Sequence, residues 1–71
     1  MSRVVAMINV DKGQHTKVMY ILRSMPNIKE VNVGLGEYDL IARTTSMSED
    51  DFKDELFKIE GIIKVQTFRG I

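Results

Sequence analysis

The sequence predicts an α+β fold of the ferredoxin-like type, with its elements in the order β-α-β-β-α-β. Four short segments rich in β-branched residues alternate with two segments whose apolar residues recur at helical spacing. Right-handed crossovers in this order place both helices on one face of a four-stranded antiparallel sheet, with strand order 4-1-3-2. A chain of 71 residues has no room for a second core, so residues 1–71 form one domain.

The first strand and the first helix follow from the first third of the chain. Residues 4–10 are apolar on both alternating faces, which is typical of a central strand. Apolar residues at helical spacing then predict a helix over about 13–25, which Pro26 stops. We expect Asp11 to cap this helix, with Gln14 completing a capping box.

The remaining elements are two strands, a helix and a last strand. The second strand, 28–33, is the most polar and suits a sheet edge, and the third covers 38–44. Ser48 is a good N-cap for the second helix, because the acidic residues after it favour the positive end of the helix dipole. We expect Gly61 to end that helix as a left-handed cap, before a last strand over 62–68.

The strands carry apolar residues on both faces of the sheet, although two helices can cover only one. In the last strand the alternation assigns Ile63 and Val65 to one face, and Ile62 and Phe68 to the other. An exposed apolar sheet face marks an interface. The sequence therefore predicts a homodimer that packs face to face through the open side of the sheet. If each protomer buries roughly 800 Å² there, the contact is a standard specific interface.

Composition excludes several classes of function. There is no cysteine, and the ten basic residues balance the ten acidic ones without forming a basic run. We therefore expect no disulfide, no thiolate metal site and no direct contact with nucleic acid. Neither a membrane-spanning segment nor a signal peptide is visible, which predicts a cytoplasmic protein that does not bind membranes.

The sequence shows no catalytic constellation. His15 is the only histidine, and it has no second histidine or cysteine with which to share a metal ion. We expect it to be a surface residue. No nucleophile, base and orienting group occur together, so we expect no enzymatic activity, no cofactor and no metal.

The most informative segment is the glycine-rich connection 34–39, Gly-Leu-Gly-Glu-Tyr-Asp. We expect Gly34 and Gly36 to adopt positive φ and to expose backbone amides. Asp39 can pair with an ammonium group, and Tyr38 can form the wall of a small pocket. Such a turn suits a zwitterion, but the same residues also suit a simple hairpin turn, and spacing alone does not separate the two interpretations.

From about residue 4 to residue 68 the chain resembles the effector-binding module of the leucine-responsive/asparagine-responsive (Lrp/AsnC) regulators, the regulation-of-amino-acid-metabolism (RAM) module. Residues 25–30, Met-Pro-Asn-Ile-Lys-Glu, resemble its helix stop and second strand. Residues 36–41, Gly-Glu-Tyr-Asp-Leu-Ile, resemble its Gly-x-Tyr-Asp-Leu signature. Leu35 departs from the family, which often has threonine there. The chain begins directly before the first strand, so we expect the stand-alone form, without the helix-turn-helix domain.

The resemblance implies a dimer that assembles into a larger ring, typically an octamer of four dimers. It also implies that a small amino acid binds between neighbouring dimers, near the glycine turn. Carried over by position, the ligand-binding residues are Gly34, Leu35, Gly36, Tyr38 and Asp39, joined by Gln66 and Thr67 on the last strand.

These expectations combine into one function with two alternatives. The first is an amino-acid effector-binding and oligomerisation module that modulates Lrp/AsnC-type transcriptional regulation without binding DNA, alone or together with full-length regulators. One alternative is a small enzyme of the dimeric α+β barrel kind, such as a cofactor-free monooxygenase or a haem-handling protein. The other is a purely structural, ring-forming subunit that binds no small molecule.

Overall fold

The computed structural model describes residues 3–70 and shows the predicted order of elements. They are β1 (Arg3–Val10), α1 (His15–Arg23), β2 (Glu30–Val33), β3 (Leu40–Thr44), α2 (Glu49–Phe57) and β4 (Ile62–Gly70). The sheet has the order β2-β3-β1-β4, and all neighbouring strands are antiparallel. This is the predicted order read from the opposite edge, so the ferredoxin-like fold is confirmed.

The hydrophobic core lies between the sheet and the two helices. Every second residue of β1 is buried in it, as the alternation predicts: Val4, Ala6, Ile8 and Val10. Each helix adds two buried side chains, Val18 and Leu22 from α1 and Phe52 and Leu56 from α2. Because burying one large apolar side chain is worth roughly 1.5–3 kcal/mol, this shared layer fixes both helices on the same face.

β4 departs from regular alternation at its start. The register between β1 and β4 shifts there, and Ile63 is the extra, unpaired residue of a β-bulge. Ile62 and Val65 are therefore both buried, while Ile63 is exposed. The predicted faces of β4 are wrong in this respect, because Ile62 shares a face with Val65 and Ile63 does not. Phe68 is exposed on the side away from the helices.

α1 begins at His15, and its predicted capping box is wrong. The N-cap residue is Gln14, whose side chain makes no capping hydrogen bond. Asp11 contributes its carbonyl oxygen, which accepts from the Gln14 amide at 3.0 Å. Gly13, at φ +82°, lies inside this turn, so the chain reaches the helix through a backbone turn rather than through a side-chain cap.

α2 begins as predicted and ends earlier. The Ser48 hydroxyl accepts from the Asp51 amide at 3.1 Å, which confirms Ser48 as the N-cap. The helix ends at Phe57, and Gly61 lies in the connection to β4, so its predicted role as helix cap is wrong. Gly61 still has a positive φ of +105°, and its carbonyl accepts from the Asp11 amide at 2.7 Å. This glycine therefore joins the two loops that follow β1 and α2.

The sheet face away from the helices, here called the open face, has an apolar middle and a charged border. Its partly or largely exposed apolar residues are Val5, Met7, Ile41 and Phe68. At the β2 border, Arg43 Nε lies 2.6 Å from Glu30 Oε1. Because both helices pack on the opposite face, this surface keeps the character on which the predicted dimer depends.

β2 and β3 are shorter than predicted, by two residues at each start. β2 begins at Glu30 rather than at residue 28, and β3 begins at Leu40 rather than at residue 38. Tyr38 and Asp39 consequently belong to the turn between the strands. Neither residue is part of a strand, and the Asp39 side chain faces the end of β1.

The two helix starts yield a first prediction. Ser48→Ala removes a side-chain cap and should lower the free energy of unfolding by about 1 kcal/mol. Asp11→Ala leaves the carbonyl in place and should cost less than about 0.5 kcal/mol. Urea unfolding at one fixed protein concentration measures both values. An Asp11→Ala cost as large as that of Ser48→Ala would show that the Asp11 side chain caps α1 after all.

Candidate functional site

The topology brings three segments together at one end of the sheet. β1 runs antiparallel to β3, and Ile8 near the end of β1 pairs with Leu40 at the start of β3. The end of β1, the first turn of α1 and the β2–β3 turn (34–39) therefore meet at the same corner. The Asp39 amide extends this pairing by donating to the Ile8 carbonyl at 2.9 Å.

The β2–β3 turn is closed by its own backbone. The Gly34 amide donates to the Asp39 carbonyl at 2.9 Å, and the Tyr38 amide donates to the Leu35 carbonyl at 3.3 Å. Gly36 has φ +64°, which confirms its predicted left-handed conformation. The same expectation for Gly34 is wrong, because its φ is not positive. Gly34 is required for space instead, since a Cβ there would lie 2.6 Å from the Tyr38 carbonyl oxygen.

The Asp39 carboxylate is the centre of the corner. Its Oδ2 accepts from the Val10 amide at 2.9 Å and from Asn9 Nδ2 at 3.4 Å, while Oδ1 lies 3.0 Å from His15 Nε2. The hydrogen bond from Val10, followed by that from His15, holds the pKa of the Asp39 carboxyl below its usual range. Asp39 is therefore a carboxylate at neutral pH, and its side chain remains 29% exposed.

Asn9 and His15 are site residues that the sequence alone did not identify. Besides contacting Asp39, the Asn9 side chain donates to the Glu37 carbonyl at 2.7 Å, so it links β1 to the turn twice. His15 is half exposed, as expected of a surface residue, but its ring contacts Asp39. The available signal was topological, because the predicted strand order already places the β1–α1 connection beside the β2–β3 turn.

The other predicted site residues divide between the two faces of the sheet. The Tyr38 hydroxyl donates to Gln66 Oε1 at 2.6 Å, which connects the turn to β4 on the open face. Thr67 points to the opposite face, as the next residue of a strand must, and its hydroxyl lies 3.5 Å from Glu49 Oε1 of α2. Leu35, at the tip of the turn, is 83% exposed. The structure thus brings Gln66 to the turn and leaves Thr67 apart from it.

A groove of about 230 Å³ lies beside Asp39, between α1 and the β2–β3 turn. Its lining is polar at His15, Thr16 and Asp39 and apolar at Met19, Val33 and Leu40. Sites for drug-sized ligands enclose about 300–1,000 Å³, so this groove suits a smaller molecule. A carboxylate next to a short apolar wall can bind a small amphipathic amine, through an ion pair and an apolar contact.

Two kinds of feature are not found within the described part of the chain. Residues 3–70 contain no cluster of three histidine, aspartate or glutamate side chains with which to hold a metal ion. None of the helices in the same range is long and apolar enough to cross a membrane.

The two glycines of the turn yield a second prediction. Gly34→Ala places a methyl group against backbone atoms that cannot move aside, and it should lower the free energy of unfolding by about 3 kcal/mol. In Gly36→Ala the added methyl group points into open space. This substitution should lower the free energy of unfolding by only about 1 kcal/mol, the cost of a left-handed backbone at alanine. Urea unfolding compares them. Equal costs, or a smaller cost at Gly34, would contradict the close approach of the Tyr38 carbonyl.

No protein-family model matches this chain, and no curated protein sequence matches it. Solved structures do match. A hypothetical protein from Pyrococcus horikoshii has 28% sequence identity and a TM-score of 0.83, with 100% of this chain and 90% of that one covered.

Two transcriptional regulators match the fold at lower identity. E. coli AsnC shares 15% identity at a TM-score of 0.83. The match covers 99% of this chain and 50% of AsnC. A regulator from Neisseria meningitidis, solved as a complex with L-Met, shares 14% identity at a TM-score of 0.77. The match covers 99% of this chain and 49% of the regulator. The chain therefore spans about half the length of these regulators. Its structural neighbours are Lrp/AsnC-family regulators and their small homologues, which confirms the resemblance predicted from the sequence.

Proposed function

We propose that this chain is an amino-acid effector-binding and oligomerisation module that modulates Lrp/AsnC-type transcriptional regulation without itself binding DNA. The observation that carries the proposal is the corner at which the Asp39 carboxylate meets the groove between α1 and the β2–β3 turn. The complex of the Neisseria regulator with L-Met supports an amino acid as the ligand class.

The geometry suggests how a zwitterion binds. Within residues 3–70, Asp39 Oδ1 has one hydrogen-bond partner, His15, and a carboxylate oxygen can accept from a second donor. The ligand ammonium group therefore binds at Oδ1. Its carboxylate accepts from the amides of Gly36 and Glu37 at the tip of the turn, which donate to no acceptor among the described residues. The ligand side chain lies along the apolar wall of the groove.

The groove limits the size of that side chain. Met19, Val33 and Leu40 form the apolar wall, and a volume of about 230 Å³ accommodates one amino acid with an aliphatic or thioether side chain. Val33 is 72% exposed, so the wall is open on one side. A second copy of the chain closes that side in the proposed assembly, with the exposed Leu35 as the contact.

The rest of the predicted ligand set has supporting roles. Gly34 allows the turn to close, and Tyr38 fixes the turn to β4 through Gln66. Thr67 lies on the helix side of the sheet with Glu49, so we place it outside direct contact with the ligand.

Self-association is the second part of the proposal. The open face is the surface through which two copies form a dimer, and dimers then join into a ring such as an octamer. The same contacts allow this chain to assemble with full-length regulators in the cytoplasm. The apolar middle of the open face supports this, because monomeric proteins rarely leave such surfaces exposed.

The neighbours weigh against the enzyme alternative, since those with a printed function are transcriptional regulators. Ligand binding distinguishes the purely structural subunit from the proposed effector-binding module. A ligand that binds the folded protein raises its stability by mass action. A thermal-shift screen of the twenty amino acids at millimolar concentration should therefore identify at least one stabilising ligand. A flat screen would favour the structural subunit.

The identified amino acid then allows a third prediction. Asp39→Ala should weaken its binding at least several-fold, because a hydrogen bond to a charged group is worth about 1.5–3 kcal/mol. Asp54→Ala, a matched loss of an exposed carboxylate on α2 outside the groove, should leave the affinity within about twofold. Titration calorimetry measures both. Unchanged affinity in a folded Asp39→Ala variant would remove Asp39 from the ligand site.

A further inference from the structure

The carboxylate oxygen assigned to the ligand ammonium group already has a partner in this chain. Oδ2 of Asp39 accepts from the Val10 amide and from Asn9, whereas Oδ1 lies 3.0 Å from His15 Nε2. His15 and Asp39 both line the groove of about 230 Å³. An imidazole ring therefore lies at the oxygen to which the proposed function directs an ammonium group.

The two nitrogens of the His15 ring have different surroundings. A carboxylate can only accept, so Nε2 carries the hydrogen of this contact whether the ring is neutral or charged. Nδ1 makes no hydrogen bond with any of residues 3–70, and the side chain is 50% exposed. Nδ1 is therefore the atom that takes up a proton from solvent. Its protonation adds a positive charge beside Asp39 and leaves the contact intact.

The charge on the ring decides how well Asp39 can hold a second cation. While the ring is neutral, the carboxylate keeps its full negative charge for an ammonium group. Once the ring is charged, it neutralises Asp39, and an ammonium group at the same oxygen meets a like charge a few ångströms away. Asp39 itself stays ionised near neutral pH, because the Val10 amide and His15 hold the pKa of its carboxyl below the usual range.

We propose that His15 is a built-in competitor for the effector ammonium group, so that a proton on its ring and an amino acid at Asp39 oppose each other's binding. The inference rests on the proposed function and adds a means of regulation to the same site. Such coupling is reciprocal. Acid weakens the binding of the amino acid, and a bound amino acid expels the proton from His15.

The other charged groups around the start of α1 are carboxylates and ammonium groups. They are Glu37 in the β2–β3 turn, Asp11 and Lys12 in the loop before α1, and Lys17 and Glu60, which pair at 3.3 Å. Groups of these two kinds ordinarily titrate outside the range between pH 5 and 8, in which a histidine ring ordinarily titrates. Because His15 is the only histidine in the chain, its replacement isolates the proposed effect.

The first experiment compares binding at two pH values. The probes are the twenty proteinogenic amino acids, screened by thermal shift at about pH 7.5 and 5.5, which bracket the ordinary histidine pKa. The amino acid with the largest shift at the higher pH is then titrated by calorimetry at both. A free amino acid carries the same charges at the two values. The wild-type affinity should be at least about fivefold weaker in acid, the low end of typical coupling between sites.

Two substitutions of His15 separate its charge from its hydrogen bond. His15→Gln keeps a neutral donor that does not titrate, so its affinity should agree within about twofold at the two pH values. His15→Lys carries a permanent charge, so it should bind weakly at both, as the wild type does in acid. Circular dichroism checks that each variant is folded.

The proton itself provides a second readout, which a merely structural role for His15 would not give. Calorimetry in two buffers of different ionisation enthalpy measures how many protons leave when the amino acid binds. At about pH 6.5, where a histidine ring is ordinarily half protonated, the wild type should release a measurable fraction of one proton. His15→Gln should release none.

The outcomes separate this inference from the proposed function. A wild-type chain that binds none of the twenty amino acids at the higher pH would overturn both. Binding with equal affinity at the two pH values, or a pH dependence that His15→Gln retains, would overturn the competition alone. If His15→Lys fails to fold, the pH dependence of His15→Gln and its proton count still decide between these results.

Discussion

The Asp39 carboxylate is the interaction on which the candidate site depends. It accepts hydrogen bonds from the last amide of β1 and from Asn9, and it contacts His15 at the start of α1. Three segments that are distant in the sequence therefore meet at one charged group. Without this carboxylate the Val10 amide would lack its acceptor, and an unpaired amide at a partly buried strand end costs about 1–3 kcal/mol. The groove beside α1 exists because these segments are held together.

The period of the apolar residues was sufficient to predict the elements and the layers, because burial on one face imposes a period that the sequence displays. The right-handed crossover rule then gave the strand order, and the glycines gave the turn. Contacts between residues that are distant in the chain leave no such period in the sequence. Gly34 is required by the Tyr38 carbonyl that approaches it, and no spacing rule reveals that approach. One extra residue at Ile63 moves the start of β4 out of regular alternation. His15 reaches a carboxylate 24 residues away, so its role follows from the topology and not from its neighbours in the chain.

The candidate ligand site and the open face are physically connected. Tyr38 belongs to the turn that closes the groove, and its hydroxyl donates to Gln66 on β4, which lies opposite Met7 in the sheet. A ligand that fixes the turn would therefore also fix a residue of the open face, the surface of the proposed dimer. In the proposed function, ligand binding and self-association share the contact between Tyr38 and Gln66.

The most direct test of the central role of Asp39 is the pH dependence of stability in wild type and Asp39→Asn, measured by urea unfolding at fixed protein concentration. The pKa of Asp39 is lowered in the folded chain, so its contribution is fully present above the unfolded value of about 3.9 and is lost as pH falls through the folded value. The variant should be about 1–2 kcal/mol less stable at pH 7, and the difference should shrink steadily below pH ~4. A difference that is absent at pH 7, or that stays constant as the acid is added, would contradict the role assigned to this carboxylate.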